Sequence, residues 1–157
     1  QGLQVGRAPC MDTIACARAA VVEREALSEV RQEVHDEITS GGLRFSERQK
    51  ELTLWQQRDF VPTLAGIVGG CAAIAVFRRV GFMSKMNRFA VLAPAMPFYI
   101  LPHQAVFYTR ETRYLVEMMR EEKSSKFARH LRSIFEDVAE QDSAVLDELE
   151  AGAEIQD

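Results

Sequence analysis

The fold class this sequence predicts is an all-α membrane protein, a two-helix transmembrane hairpin flanked by charged amphipathic helices. Three observations predict it. No charged side chain occurs from Phe60 to Phe77, a run of 18 residues, against the roughly 20 apolar residues that span a bilayer. A second apolar segment, Phe89 to Tyr108, follows a short loop, RRVGFMSKMNR, that carries four basic residues and no acid. Finally, the charge is segregated. The chain of 157 residues is 47% hydrophobic and 27% charged, ordinary averages that conceal nearly all the charge lying before Phe60 and after Tyr108.

In order along the chain, residues from about Asp12 to Ile38 read as one helix, because Leu27, Val30, Val34 and Ile38 recur at three- and four-residue steps. Gly41-Gly42 ends it, since two glycines can take left-handed angles. Ser46 and Gln49 have the spacing of a capping box and open a short polar helix, SERQKELTLWQQRD. The two expected spans follow, at 60–79 and 89–108 with a basic loop at 80–88. A long charged helix is then expected from Arg110 to Glu150, with Leu115, Met118, Met119, Phe127, Leu131, Ile134, Phe135 and Val138 as its broken apolar face. Three regions result: N-terminal charged amphipathic helices (1–59), the hairpin (60–108), and a C-terminal amphipathic helix with an acidic tail (109–157).

The flanks of the spans carry the residues that anchor a helix at a membrane interface. Trp55 and Arg58 precede the first span and Arg78 and Arg79 close it; Lys85 and Arg88 lie in the loop. Such basic groups also suit anionic headgroups, so a structural lipid such as cardiolipin is the one small-molecule contact expected. Within the first span, Gly66, Gly69, Gly70 and Ala73 place small residues four apart, the pattern that lets two helices approach closely. In the second, Pro94, Pro97 and Pro102 each remove a backbone donor and are read as kinks. Carbonyls freed in lipid need partners from neighbouring protein, so the second helix is expected to pack against other helices. A soluble bundle with two buried central helices is the competing reading, favoured by the prolines, His103 and Gln104.

Chemistry is not assembled by this sequence. A net charge of -4 excludes a general nucleic-acid binder. His35, His103 and His130 lie on different segments with no carboxylate or cysteine at metal-ligand spacing. Phosphate-binding glycine loops, nucleophile elbows and paired metal-binding histidines are missing. His103 is read as an interfacial residue, with a role in a transporter or redox subunit as the sharper alternative. Cys10, Cys16 and Cys71 form no disulfide frame. Gln1 in place of methionine gives the expectation of a processed end.

WQQRDFVPTLAGIVGG resembles the opening of the OCIA-domain hairpin, with an aromatic residue, an arginine and a proline ahead of the first span. DFVPTLAGIVGG with the following RRVGFMSKMNR is similar to the hypoxia-induced-gene domain, a two-span hairpin with a basic loop. Each resemblance covers about a third of the chain. Both families are accessory factors of respiratory complexes, and the resemblance implies that direction. The expectation is therefore a non-catalytic accessory subunit of a multi-subunit mitochondrial inner-membrane complex, in the respiratory chain or the ATP synthase. Its partners would be other subunits and membrane lipid, with no nucleic acid, small-molecule substrate or cofactor. Met118, Met119, Leu131 and Phe135 are the expected partner-facing positions, with burial in an intrachain bundle as the alternative. A self-oligomerising membrane-shaping or assembly factor is the second reading, and another organellar membrane the alternative location.

Overall fold

The computed structural model describes residues 13–81, 92–120, 125–139, 143, 145, 146 and 149. Among them the secondary structure is helical, without strands. The chain divides into two compact units, the first made of residues 1–57 and 109–157 and the second of residues 58–108. The two charged flanks, far apart in sequence, thus fold together.

The first unit holds α1 (Thr13–Val22), α2 (Arg24–Thr39), α3 (Glu47–Gln57), the C-terminal part of α5 (Leu92–Arg120) and α6 (Lys126–Val138). The helix expected from Asp12 to Ile38 is divided at Glu23, whose backbone leaves helical angles (φ -103°, ψ 28°). The division is narrow, because Glu23 N–H still donates to the Ala19 carbonyl and the Glu23 carbonyl still accepts from Leu27 N–H. The apolar stripe of α2 is present: Leu27, Val30 and Val34 are buried and Ile38 packs at the edge of the core. At its end Gly41 and Gly42 take φ of 103° and 66°. Gly42 N–H reaches back to the Glu37 carbonyl and Gly41 N–H to that of Ile38, the crossed pair of bonds that closes a Schellman motif.

The long C-terminal helix expected over 110–150 is corrected. The second apolar segment and the start of the charged flank form one helix, α5, and Ser125 then interrupts with an extended backbone (φ -120°, ψ 122°). The Ser125 hydroxyl accepts from Ala128 N–H and caps α6, an arrangement a serine offers at a helix start and not in its interior. Phe127, Ala128, Leu131 and Phe135 of α6 form a single buried stripe. Phe127, Leu131 and Phe135 meet Leu27, Val30 and Val34 of α2 and Leu115, Met118 and Met119 of α5 in one core cluster. Full burial of a large apolar side chain stabilises by about 1.5–3 kcal/mol, so this core is what orders the flanks.

The second unit contains α4 (Val61–Arg79) and the N-terminal part of α5. Asp59 accepts from Val61 N–H through its side chain, and Pro62 sits in the first turn of α4, where its missing donor costs no helical bond. The same reasoning corrects Pro94. It occupies the first turn of α5, whose helix begins at Leu92, and so breaks no internal bond; Pro97 and Pro102 are the prolines inside the helix.

Candidate functional site

The feature that sets this chain apart is the distribution of side chains on its helix pair. On α4 the buried residues are Pro62, Gly66, Gly70 and Ala73, none of them large and flexible. The bulky apolar residues stand outward: Phe60, Leu64, Ile67, Val68 and Val76 are all exposed, Val68 by 67%. On α5 Ala95 is buried and Tyr99 partly so, while Met96, Phe98, Ile100 and Leu101 are exposed, Leu101 by 67%. A water-soluble core has the opposite arrangement. The stretch Glu47–Arg79, which contains α4, is long and apolar enough to cross a membrane, and only 22% of its most apolar window is buried. Of the two expected spans it is the one among the described residues that meets this length and apolarity. Prolines, His103 and Gln104 dilute the other.

The small residues serve a close approach of the two helices. A Cβ at Gly66 would stand 2.8 Å from the Tyr99 ring and 3.0 Å from the Tyr99 carbonyl oxygen. At Gly69 the Cβ would run into the carbonyl oxygen of Phe98 and come within 2.9 Å of Pro102 Cγ. At Gly70 it would meet only Tyr99 Cβ, at 3.5 Å, an ordinary contact. Phe77 pairs edge-on with Phe98 (centroids 5.6 Å) while the earlier Gly69 meets the later Pro102, so the pairing runs antiparallel.

Pro102 explains why Phe98 offers its carbonyl. In a helix that oxygen would accept from the N–H four residues on, and proline has none. That oxygen lies against Gly69, where a glycine hydrogen fits and a methyl does not. This is the geometry of the weak Cα–H···O contacts found at close helix pairs. Beside it Tyr99, His103 and Phe107 stack along one stripe of α5, with centroids 5.8 and 6.3 Å apart. His103 is thus a partly buried member of an aromatic ladder.

The remaining anchor positions lie as follows. Trp55 is 53% exposed, and the Arg110 guanidinium lies 4.8 Å over its ring. Arg58, Arg78 and Arg79 are exposed. Lys85 and Arg88 lie outside the described residues. The partner-facing reading of Met118, Met119, Leu131 and Phe135 is corrected: each is 0% exposed, filling the core of the first unit. Their apolar stripes recur at helical spacing, which is the pattern of a partner face and of a core alike, and the contact with α2 decides.

Two polar constructions hold the first unit together. Gln49, fully buried, joins three helices. Its side-chain oxygen accepts from Ser46 N–H at 2.9 Å and from the Ser125 hydroxyl at 3.2 Å, and its amide nitrogen donates to the Met118 carbonyl at 3.1 Å. The capping box read from Ser46 and Gln49 is present, with Gln49 N–H donating to Ser46 Oγ at 3.2 Å. The sequence shows the local half of this network and not its reach to α5 and α6. The second construction centres on Glu37, whose carboxylate accepts from Arg44 N–H at 2.8 Å and pairs with the Arg44 Nε. Burial pushes the Glu37 carboxyl up, but the Arg44 backbone N–H and guanidinium outweigh it and hold the group below its ordinary range.

A cleft of about 400 Å³ in the same unit is lined by Arg31, His35, Gln56, Glu111 and Tyr114. Two of these lining residues, Arg31 and Glu111, bond each other at 2.6 Å. Burial raises the Glu111 carboxyl above its ordinary value, with Arg31 offsetting part of the effect. Burial likewise raises Tyr114, whose hydroxyl lies 3.0 Å from Thr53 Oγ1. Among the described residues no three His, Cys, Asp or Glu side chains form a group suited to a metal ion. Comparison of the chain with protein-family models, curated proteins and solved structures finds no match.

Proposed function

We propose that this chain is a non-catalytic accessory subunit of a multi-subunit membrane complex, held in the bilayer by the α4/α5 pair. The observation that carries the reading is the inverted helix pair: small residues inside, large apolar residues outside, and no charge from Phe60 to Phe77. Side chains such as Leu64, Val68 and Leu101 suit acyl chains, which need no polar shell. Trp55, Arg58, Arg78 and Arg79 supply interfacial groups at the ends of the first span. The second span is the less apolar one, and its prolines suit a helix packed on protein. The core of the first unit leaves it a self-supporting helical body outside the membrane. Around Gln49 and Glu37 its buried polar groups bond one another, which supports a structural role over a catalytic one.

The mitochondrial inner membrane, with the respiratory chain or the ATP synthase as the host complex, is the proposed location, on the resemblance of WQQRDFVPTLAGIVGG and the basic loop to the two hairpin families. Carbonate extraction of membranes tests the first part. Retention in the pellet is expected, and release into the supernatant would refute the span. Mild-detergent blue-native electrophoresis tests the second, where co-migration with a complex far larger than the chain is expected.

A further inference from the structure

We infer that the cleft of about 400 Å³ in the first unit is a binding site for a small primary amine with an apolar body, held as its ammonium by Glu111 and Gln56. The inference stands apart from the membrane reading, because every lining residue belongs to the first unit. The volume falls in the range of ligand sites, roughly 300–1,000 Å³, and Val34, Ile38 and Leu115 give the cleft apolar walls. Two polar groups of the lining lack what they need. The Gln56 side-chain oxygen is buried and accepts no hydrogen bond among the described residues. The Glu111 side chain is only 13% exposed; Arg31 bonds its Oε2, and no other hydrogen bond or ion pair reaches the carboxylate among the described residues.

Both groups are acceptors, and Tyr114 is a third. Thr53 Oγ1 gives its one proton to the Gln49 carbonyl at 2.9 Å, so the Tyr114 hydroxyl donates to Thr53 at 3.0 Å and has only its lone pair left to offer. The donors of the lining, Arg31, Gln32 and His35, are exposed and served by water, so they call for no occupant. The unmet demand is therefore for donors. Glu111 decides the charge. Burial raises its carboxyl above the ordinary value despite the guanidinium 2.6 Å away, so one cation offsets the burial only in part and a second is accommodated. An ammonium brings that charge and three donors, enough for Glu111 and Gln56 together once the terminal amide of Gln56 turns its oxygen to the cleft. An anionic occupant would stand against Glu111. A metal ion would find no group of three His, Cys, Asp or Glu ligands among the described residues.

The test is a fluorine NMR titration of the full chain in mild detergent with para-fluorophenethylamine. Saturable binding is expected. The N-trimethylated form, which keeps the charge and loses the donors, should not bind, nor should para-fluorophenylpropionate, which reverses the charge. Gln56→Leu and Glu111→Gln should each weaken binding of the amine roughly ten-fold. Arg31→Ala should tighten it, because the whole Glu111 carboxylate then falls to the ligand, and a misfolded chain could not produce that gain. Competition with short-chain phosphatidylethanolamine separates two sources of the same chemistry. Displacement assigns the amine to a lipid headgroup and its failure to a soluble amine, and either keeps the inference. No saturable binding, equal binding of the trimethylated probe, preference for the propionate, indifference to Gln56→Leu, or weaker binding by Arg31→Ala would each overturn it.

Discussion

Replacing Gly69 by alanine should weaken the helix pair, whereas the same change one residue on should not. At Gly69 the new methyl is driven into the Phe98 carbonyl oxygen and against Pro102 Cγ at 2.9 Å. Both obstacles belong to the backbone or to a ring fixed to it, so no rotamer change relieves them and the helices must separate. Overpacking of this kind costs about 1–3 kcal/mol and occasionally more. Alanine recovers about 1 kcal/mol of helix propensity over glycine, leaving a net loss of about 2 kcal/mol from the upper part of that range. At Gly70 the methyl finds Tyr99 Cβ at 3.5 Å, which is contact without conflict, so the propensity term alone acts. Thermal melts of the full chain in mild detergent, followed by circular dichroism, measure the difference. At 2–4 °C per kcal/mol for a chain of this length, Gly69→Ala should melt roughly 4–8 °C lower and Gly70→Ala level with or slightly above the wild type. A Gly69→Ala chain that melts like the wild type, or a Gly70→Ala chain that is the weaker of the two, would refute the close approach.

Gln49→Ala should destabilise the first unit by about 2–4 kcal/mol in urea unfolding, since it strands the Met118 carbonyl and the Ser46 N–H in a buried site. Phe135→Ala, which empties a fully buried position in α6, should cost about 3–5 kcal/mol by the same measurement. Two carboxyls should give pH slopes of opposite sign. The Glu37 carboxyl is held below its ordinary 4.5, so its contribution is present above that value and lost as pH falls toward the lower folded value; Glu37→Gln should flatten stability in that acid window. Glu111 is raised above 4.5, so its protonated form favours folding below that value and the benefit fades as pH rises through the folded value; Glu111→Gln should remove that fall. Trp55 is the single tryptophan, and Arg110→Ala should change its fluorescence by removing the cation over its ring.

Elements with short-range causes were legible in the sequence. The α2 stripe, the Gly41-Gly42 ending and the Ser46/Gln49 cap each depend on residues within a turn or two of one another. The divisions at Glu23 and Ser125 were not, because neither residue forbids a helix and the surrounding apolar spacing runs on. Proline misled in the other direction. Pro94 falls in a first turn, and Pro97 and Pro102 lie within a helix that continues to Arg120. The small residues at 66, 69 and 70 were visible as a pattern, but their unequal demands were not. That inequality comes from which atom of α5 faces each one, and in particular from a carbonyl that only Pro102 leaves unbonded. Burial of Met118 and Phe135 was equally beyond a reading of one helix at a time, since it depends on the first and last quarters of the chain coming together.

The contact between Gly69 and the Phe98 carbonyl also makes the two helices hostage to each other's history. With Pro102 in place, position 69 admits only glycine. Were Pro102 replaced by alanine first, an N–H would claim the Phe98 oxygen and the ring at 2.9 Å would be gone, opening room for a methyl at 69. The two substitutions would then be harmful in one order and mild in the other. In related chains positions 69 and 102 should therefore drift as a pair, with alanine appearing at 102 before it is tolerated at 69.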